Sequence, residues 1–90
     1  NDPLAIGALF ECRDRGIEVP RDLSITGFDD IELACELSPG LTTVRVPSAE
    51  IGQEAARRLL SRLAGDSVPR VKEMPAPLIV RGTTGPPPKR

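Results

Sequence analysis

Two adjacent carboxylates, Asp29 and Asp30, follow an aromatic residue at the end of a short apolar run. The run covers residues 23–26, and Gly27 ends it. This pattern predicts a buried strand that presents Phe28 and Asp29 at its carboxyl end, where open α/β sheets bind their ligands. An ionised carboxylate at that place accepts hydrogen bonds from ligand hydroxyl groups. The alternative is structural, since an Asp that precedes a helix is commonly its N-cap.

Other kinds of chemistry find little support in the residue inventory. The 90 residues contain no histidine and two cysteines, Cys12 and Cys35, without a CxxC spacing. A Cys/His zinc site is therefore unsupported, no metal or cofactor is expected, and any triad that requires histidine is excluded. Acid–base catalysis by Asp2, Asp29 or Asp30 is the enzymatic alternative. The thiols are most simply buried groups in a reducing compartment, so we expect a cytoplasmic protein.

Length and charge limit the partners that these residues can serve. Ninety residues form at most one small domain, and their 12 basic and 13 acidic side chains nearly balance. The balance gives no electrostatic reason for binding nucleic acid or a membrane surface. No apolar run approaches the roughly 20 residues that span a bilayer.

Apolar periodicity and turn residues predict that helices alternate with strands. The predicted elements are a helix from Asn1 to Gly16, a strand at 23–27, a short helix at 30–37, a strand at 41–44, a helix at 48–64 and a strand at 78–80. The order α-β-α-β-α-β predicts an α/β fold with a parallel sheet. It begins at a helix, as if a strand had preceded Asn1.

The helix at 48–64 is strongly amphipathic. Its polar face carries both signs of charge, with Glu54 and Arg58 at a favourable i, i+4 spacing. Burial of its apolar face against protein is therefore favoured over a membrane surface. Residues 85–90 are Pro-rich and weakly basic, which predicts a disordered tail, with a polyproline ligand as the alternative.

Several blocks of the sequence, taken in order, resemble the C-terminal third of LacI/GalR-family transcription regulators. The family patterns are "ND-x-(L/M)-A-x-G-A", "RGI-x-VP-x-D-(I/L)-S", "G(F/Y)DD", "LTTV(R)" and "LIVRGST". Here they match residues 1–8, 15–24, 27–30, 41–45 and 78–84. The resemblance thus covers nearly the whole chain, from Asn1 to about Thr84.

The resemblance implies roles for individual residues. In the family, the Asn of "ND" and the first Asp of "GFDD" line the effector cleft, which corresponds to Asn1 and Asp29. Phe28 could pack on an apolar ring face of the ligand or belong to the core. The family dimerises partly through the two helices that follow these motifs, and this implies an interface at Ile6, Leu33 and Leu37. Ordinary core packing is an equal alternative for Ile6.

By this resemblance, residues 1–84 form part of a two-lobed effector-binding core that is like a periplasmic binding protein and is incomplete on its own. The implied partners are a small-molecule effector, such as a carbohydrate, and a second copy of the chain. Operator DNA would be bound by a helix-turn-helix outside this chain. The resemblance also implies that the helix at 48–64 belongs to the other lobe. A fragment of a periplasmic sugar-binding protein and a truncated, non-functional remnant are the alternatives.

Overall fold

The computed structural model describes residues 1–89, whose contacts divide into two units. One unit comprises Asn1–Val46 and the residues from Pro77 onward, and the other is Pro47–Ala76. The elements in chain order are α1 (Asp2–Asp14), α2 (Glu32–Glu36), β1 (Thr43–Val44), α3 (Ser48–Leu63) and β2 (Leu78–Ile79). All of them except α3 belong to the first unit.

Helix α1 begins and ends where its sequence predicts. The Asn1 side chain accepts a hydrogen bond from the backbone N–H of Leu4 at 3.2 Å, so it caps the first turn. Pro3 follows in that turn, where its missing N–H costs no hydrogen bond. Gly16 has a positive φ of 71°, a conformation that suits glycine just beyond a helix end.

The sheet of the first unit differs from the expected parallel arrangement. Strands β1 and β2 pair antiparallel, with Thr43 opposite Ile79 and Val44 opposite Leu78. The predicted strand at 23–27 contributes only an isolated parallel bridge, from Thr26 to Thr42. A second isolated parallel bridge joins Asp29 to Arg45. The expectation of a parallel sheet is therefore not confirmed in the described residues.

Side-chain hydrogen bonds explain why the predicted strand does not form a continuous ladder. The backbone N–H of Thr42 donates to the hydroxyl of Thr83 at 2.9 Å, not to a carbonyl of a neighbouring strand. That hydroxyl in turn donates to the carbonyl of Ile25 at 2.7 Å. A buried threonine thus satisfies backbone groups that a regular ladder would have paired with each other.

A small apolar core holds the first unit together. Its buried members come from α1, α2, the segment between them and the residue two positions before β1: Ala5, Ile6, Cys12, Ile25, Ala34 and Leu41. Leu9, Val19 and Leu37 pack against them and are partly buried. Both thiols are predicted to be buried; this is confirmed for Cys12 and wrong for Cys35, which is exposed. The core is built on residues with small or medium side chains and contains neither phenylalanine.

The second unit consists of α3 and the segment that follows it, up to Ala76. None of the residues of α3 is buried, and Leu59, Leu60 and Leu63 are 58–75% exposed. The apolar face of α3, which the sequence predicts to be buried against protein, is therefore exposed in this chain. Among the described residues, no helix is long and apolar enough to cross a membrane.

The charged face of α3 pairs differently from the prediction. Glu54 forms its ion pairs with Arg57, three residues on, and with Lys72 at 3.3 Å, rather than with Arg58. The hydrogen bonds from Arg57 and then Lys72 hold the pKa of Glu54 at about 2. Helix α3 ends before Gly65, whose φ is +94°.

The first residue of the Pro-rich segment contacts the first unit. The backbone N–H of Gly85 donates to the hydroxyl of Ser24 at 3.1 Å, and that hydroxyl lies 3.2 Å from the carbonyl of Gly85. Arg90 lies outside the described residues. The disorder of residues 85–90 stays a prediction.

Candidate functional site

The turn that joins Gly27 to α2 has an unusual backbone. Asp29 has a φ of 122° and Asp30 a φ of 60°, both in the region that favours glycine. Each such conformation costs on the order of 1–3 kcal/mol in a non-glycine residue and persists only where neighbouring contacts fix it. Strain of this kind concentrates at ligand clamps and other functional sites.

Asp2 lies beside this turn and is completely buried. Its backbone N–H donates to the carbonyl of Phe28 at 3.1 Å. One carboxylate oxygen accepts from the backbone N–H of Ile31 at 2.8 Å, and the other accepts from the hydroxyl of Thr43 at 2.7 Å. A buried carboxylate is costly unless it is hydrogen-bonded, and here both oxygens have partners.

Gly27 is required at its position by the close approach of Asp2. A Cβ atom built on Gly27 would lie too close to Oδ1 of Asp2, and only 2.9 Å from Cδ2 of Leu41. The glycine at the end of the predicted strand therefore makes room for the Asp2 carboxylate. The backbone N–H of Gly27 donates a hydrogen bond to the carbonyl of Thr42 at 2.9 Å.

Asp30 is an ion-pair residue and not the helix cap that its sequence position suggests. Arg45 and Arg81 each donate to one of its carboxylate oxygens at 2.8 Å. The Asp30 side chain is 8% exposed and that of Arg81 is 17% exposed. The hydrogen bonds from Arg81, then Arg45, hold the pKa of Asp30 below its ordinary value. Ile31 occupies the cap position of α2 instead.

The structure brings two of the predicted ligand residues close through their neighbours in the chain. The hydrogen bond from the Asp2 N–H to the Phe28 carbonyl joins the Asn1–Asp2 peptide to the Phe28–Asp29 peptide. Phe28 is 51% exposed and is therefore not a core residue in this chain. The Asp29 carboxylate has no hydrogen-bonding partner within residues 1–89, and Asn1 is exposed.

Sequence reasoning missed the anchoring roles of Asp2 and Asp30. The sequence offers Asp2 only as a possible catalytic acid or base, and the Thr43 hydroxyl that hydrogen-bonds its carboxylate lies 41 residues away. Asp30 and Arg81 are 51 residues apart. No local spacing signals either contact, although Arg81 is an isolated charge directly after an apolar strand.

The residues expected at a dimer interface have different exposures. Ile6 is 7% exposed and belongs to the core, as its packing alternative states. Leu33 is 43% exposed, while Leu37 packs partly against the core. Leu37 also lines a surface groove of about 380 Å³, together with Leu9, Phe10 and Val19. An interface at these residues stays a prediction.

No metal site is evident in the described part of the chain. Within residues 1–89, no three His, Cys, Asp or Glu side chains are placed so that they could hold a metal ion together. Asp2 and Asp30 have protein partners for their carboxylates, whereas residues 1–89 supply no hydrogen-bonding partner for the Asp29 carboxylate.

Comparisons with known proteins match nearly the whole chain to one kind of regulator. The family model of the periplasmic binding protein-like domain matches residues 1–84. The HTH-type transcriptional repressor CytR of Escherichia coli is 44% identical over 85 residues. That alignment covers 93% of this chain but only 25% of CytR, so the chain spans about a quarter of this relative's length.

Solved structures give the same result at the level of the fold. A LacI-family transcriptional regulator from Bifidobacterium animalis is similar with a TM-score of 0.91 and 32% identity, over 97% of this chain and 32% of that chain. A LacI-family regulator from Arthrobacter, crystallised in complex with lactose, is similar with a TM-score of 0.80 and 31% identity. That match covers 94% of this chain and 33% of the Arthrobacter chain.

Proposed function

We propose that this chain binds the small-molecule effector of a transcriptional regulator. The chain belongs to the LacI/GalR family of such regulators and carries part of the family's periplasmic binding protein-like domain. The effector we propose is a neutral carbohydrate. Asn1 and Asp29 bind its hydroxyl groups, and Phe28 covers an apolar face of its ring.

The observation that carries this proposal is that the Asp29 carboxylate has no hydrogen-bonding partner within residues 1–89, while the peptide that precedes Asp29 is hydrogen-bonded to the Asn1–Asp2 peptide. The hydrogen bond of 3.1 Å between the Asp2 N–H and the Phe28 carbonyl fixes the separation of the two segments. Asp29 is held with φ at 122°, and its carboxylate is not used by the surrounding protein within residues 1–89. A strained residue with an unused charged group is typical of a binding position.

The chemistry of the three side chains fits a polyol. A carboxylate accepts hydrogen bonds from two hydroxyl groups, and each charge-assisted bond contributes about 1.5–3 kcal/mol. The Asn1 amide oxygen already accepts from the Leu4 N–H, but its NH₂ group remains available to donate to a ligand oxygen. The half-exposed ring of Phe28 supplies an apolar surface. The lactose bound to the Arthrobacter regulator supports a carbohydrate as the ligand class.

The remaining parts of the proposal concern the whole protein. Two copies associate through the faces of α1 and α2, where Leu33 is exposed and Leu37 lines the adjacent groove. Dimerisation places two DNA-binding elements on two half-sites of an operator. The ligand changes DNA affinity because it binds the alternative conformations of the regulator unequally. The proposed location is the cytoplasm, where the operator lies.

Binding without turnover is part of the proposal. CytR and the LacI-family structures that resemble this chain are named as regulators, and this supports a sensor over a hydrolase. An enzyme that used Asp29 as an acid or base would return an altered sugar, whereas a sensor returns the sugar unchanged.

The test is a thermal-shift screen of the full-length protein against glucose, galactose, maltose, lactose, sucrose and cellobiose. A ligand at about 100 times its Kd stabilises the folded state by about 2.7 kcal/mol, which is readily visible as a rise in Tm. We expect at least one saccharide to raise Tm and to be recovered chemically intact. A flat response to every saccharide, or recovery of a cleaved sugar, would contradict the proposal.

A further inference from the structure

The backbone at Asp29 and Asp30 needs support from outside the turn, because both residues have a positive φ. On one side, the support comes from the ion pairs of Asp30 with Arg45 and Arg81. On the other side, it comes from Asp2. The backbone of Asp29 is also held directly, since its N–H donates to the carbonyl of Val44 at 2.9 Å. None of these contacts is made by the side chain of Asp29.

Asp2 is hydrogen-bonded to both ends of the Phe28–Ile31 turn. Its backbone N–H binds the carbonyl of Phe28, the residue before Asp29, at 3.1 Å. Its Oδ2 accepts from the N–H of Ile31, the residue after Asp30, at 2.8 Å. The two strained residues are therefore enclosed between two hydrogen bonds to a single buried residue.

Thr43 fixes the orientation of the Asp2 carboxylate. Its hydroxyl donates to Oδ1 of Asp2 at 2.7 Å, and both side chains are completely buried. The Asp2 carboxylate therefore has one partner in the turn and one partner in β1. Rotation of the carboxylate would break both bonds and leave buried polar groups unpaired.

We propose that Asp2 is a positioning residue, whose buried carboxylate holds the Phe28–Ile31 turn so that Asp29 presents its own carboxylate beside Asn1. This inference rests on the proposed function for the identity of what Asp29 binds. The hydrogen bonds between Asp2 and the turn form without a ligand, so they are tested in the ligand-free protein. Asp2 acts through Asp29 and does not itself contact the sugar.

Thr83 offers a matched control for the loss of a buried polar side chain. Like Asp2, it is completely buried and makes two side-chain hydrogen bonds, from Thr42 N–H at 2.9 Å and to the Ile25 carbonyl at 2.7 Å. Neither partner belongs to residues 28–31. Thr83→Val therefore removes comparable interactions from the same unit without releasing the turn.

The experiment is amide hydrogen–deuterium exchange on the full-length protein without ligand. Asp2→Ala is expected to accelerate exchange at residues 28–33 by at least about tenfold, since the Ile31 N–H loses its acceptor. Asp2→Asn is expected to retain protection, because an amide oxygen can accept from Ile31 while the amide nitrogen donates to the Thr43 hydroxyl. Thr83→Val is expected to accelerate exchange near Ile25 and Thr42 only.

Thr43→Val keeps the proposal testable where Asp2→Ala does not fold. It removes one of the two partners of the carboxylate and is expected to accelerate exchange at residues 28–33 by about threefold. Unchanged exchange there in Asp2→Ala, or in Thr43→Val where Asp2→Ala is unfolded, would overturn the proposal. So would equal acceleration at residues 28–33 in Thr83→Val. A protein that binds none of the saccharides but shows the expected exchange pattern would contradict the proposed function alone.

Discussion

The hydroxyl of Thr43 donates a hydrogen bond of 2.7 Å to the carboxylate of Asp2, across 41 residues of sequence and with both side chains completely buried. This bond joins the first turn of α1 to β1. The same carboxylate accepts from the N–H of Ile31 before α2, so three segments of the first unit meet at one side chain. The centre of the candidate site is therefore polar and is organised by a single aspartate.

Replacing Gly27 with alanine is expected to destabilise the protein by about 2 kcal/mol or more. The added Cβ would collide with Oδ1 of Asp2 and lie 2.9 Å from Cδ2 of Leu41, and a close-packed interior tolerates such overpacking poorly. Chemical denaturation measures the effect. Gly7→Ala is the matched control: Gly7 lies within α1 with open space around it, so this change is expected to stabilise by about 0.5–1 kcal/mol. Equal stability of the two variants would contradict the close approach.

Replacing Arg81 with methionine is expected to reduce the free energy of unfolding by about 1.5–3 kcal/mol and therefore to lower Tm. The change removes two hydrogen bonds, to the Asp30 carboxylate at 2.8 Å and to the Leu41 carbonyl at 2.9 Å. Arg15→Met is the control, since its pair with Glu11 is largely exposed and contributes little. A Tm for Arg81→Met as high as that of the control would show that the Asp30 pair does not stabilise the turn.

Acid is expected to destabilise the first unit partly through Asp30. Since its two arginine partners hold the pKa of Asp30 below the ordinary value, the unfolded chain takes up a proton first as the pH falls. The stabilisation is complete above about pH 4 and disappears as the pH falls through the lower pKa of the folded state. Denaturation of the wild type and of Asp30→Asn at a series of pH values measures this contribution.

The comparison with Asp30→Asn isolates one carboxylate from others that titrate in the same range. The pKa of Glu54, held at about 2, and the lowered pKa of Asp22 also make the protein acid-sensitive. The advantage of the wild type over Asp30→Asn should therefore shrink between about pH 4 and lower pH. A difference between the two proteins that is independent of pH would contradict the ion pair.

Replacing Leu33 with serine is expected to weaken dimerisation at least about tenfold. Leu33 is 43% exposed in this chain, so its loss leaves no cavity in the core. The tenfold effect corresponds to about 1.4 kcal/mol and requires Leu33 to be one of the few interface residues that contribute most of the binding energy. Sedimentation velocity on the full-length protein measures the change. Leu23→Ser is the control, since Leu23 is similarly exposed and lies outside the proposed interface. An unchanged dimer in Leu33→Ser would place the interface elsewhere.

Local sequence signals predicted the helices of this chain well. The helix predicted from Asn1 to Gly16 forms as α1, capped by the Asn1 side chain and followed by Gly16 with its positive φ, and α3 begins at Ser48 as predicted. These features depend on residues within a few positions of each other. The family assignment from ordered motifs is likewise confirmed.

Contacts between distant residues were not predictable in the same way. The parallel sheet was expected from the order of elements, but Thr83 takes backbone partners from the predicted strand, and β2 pairs antiparallel with β1. The roles of Asp2 and Asp30 also depend on partners dozens of residues away. A short polar side chain before a helix signals a cap, and nothing local distinguishes a cap from an anchor.

The affinity of the full-length protein for the saccharide that stabilises it most tests the central claim most directly. Calorimetric titration of the wild type, Asp29→Ala and Asp30→Asn is the measurement. Asp29→Ala is expected to weaken binding at least about tenfold, which corresponds to about 1.4 kcal/mol, since the ligand loses the Asp29 carboxylate as an acceptor. A smaller loss is expected for Asp30→Asn, because the Asp30 side chain binds arginines. Wild-type affinity in Asp29→Ala would contradict the account.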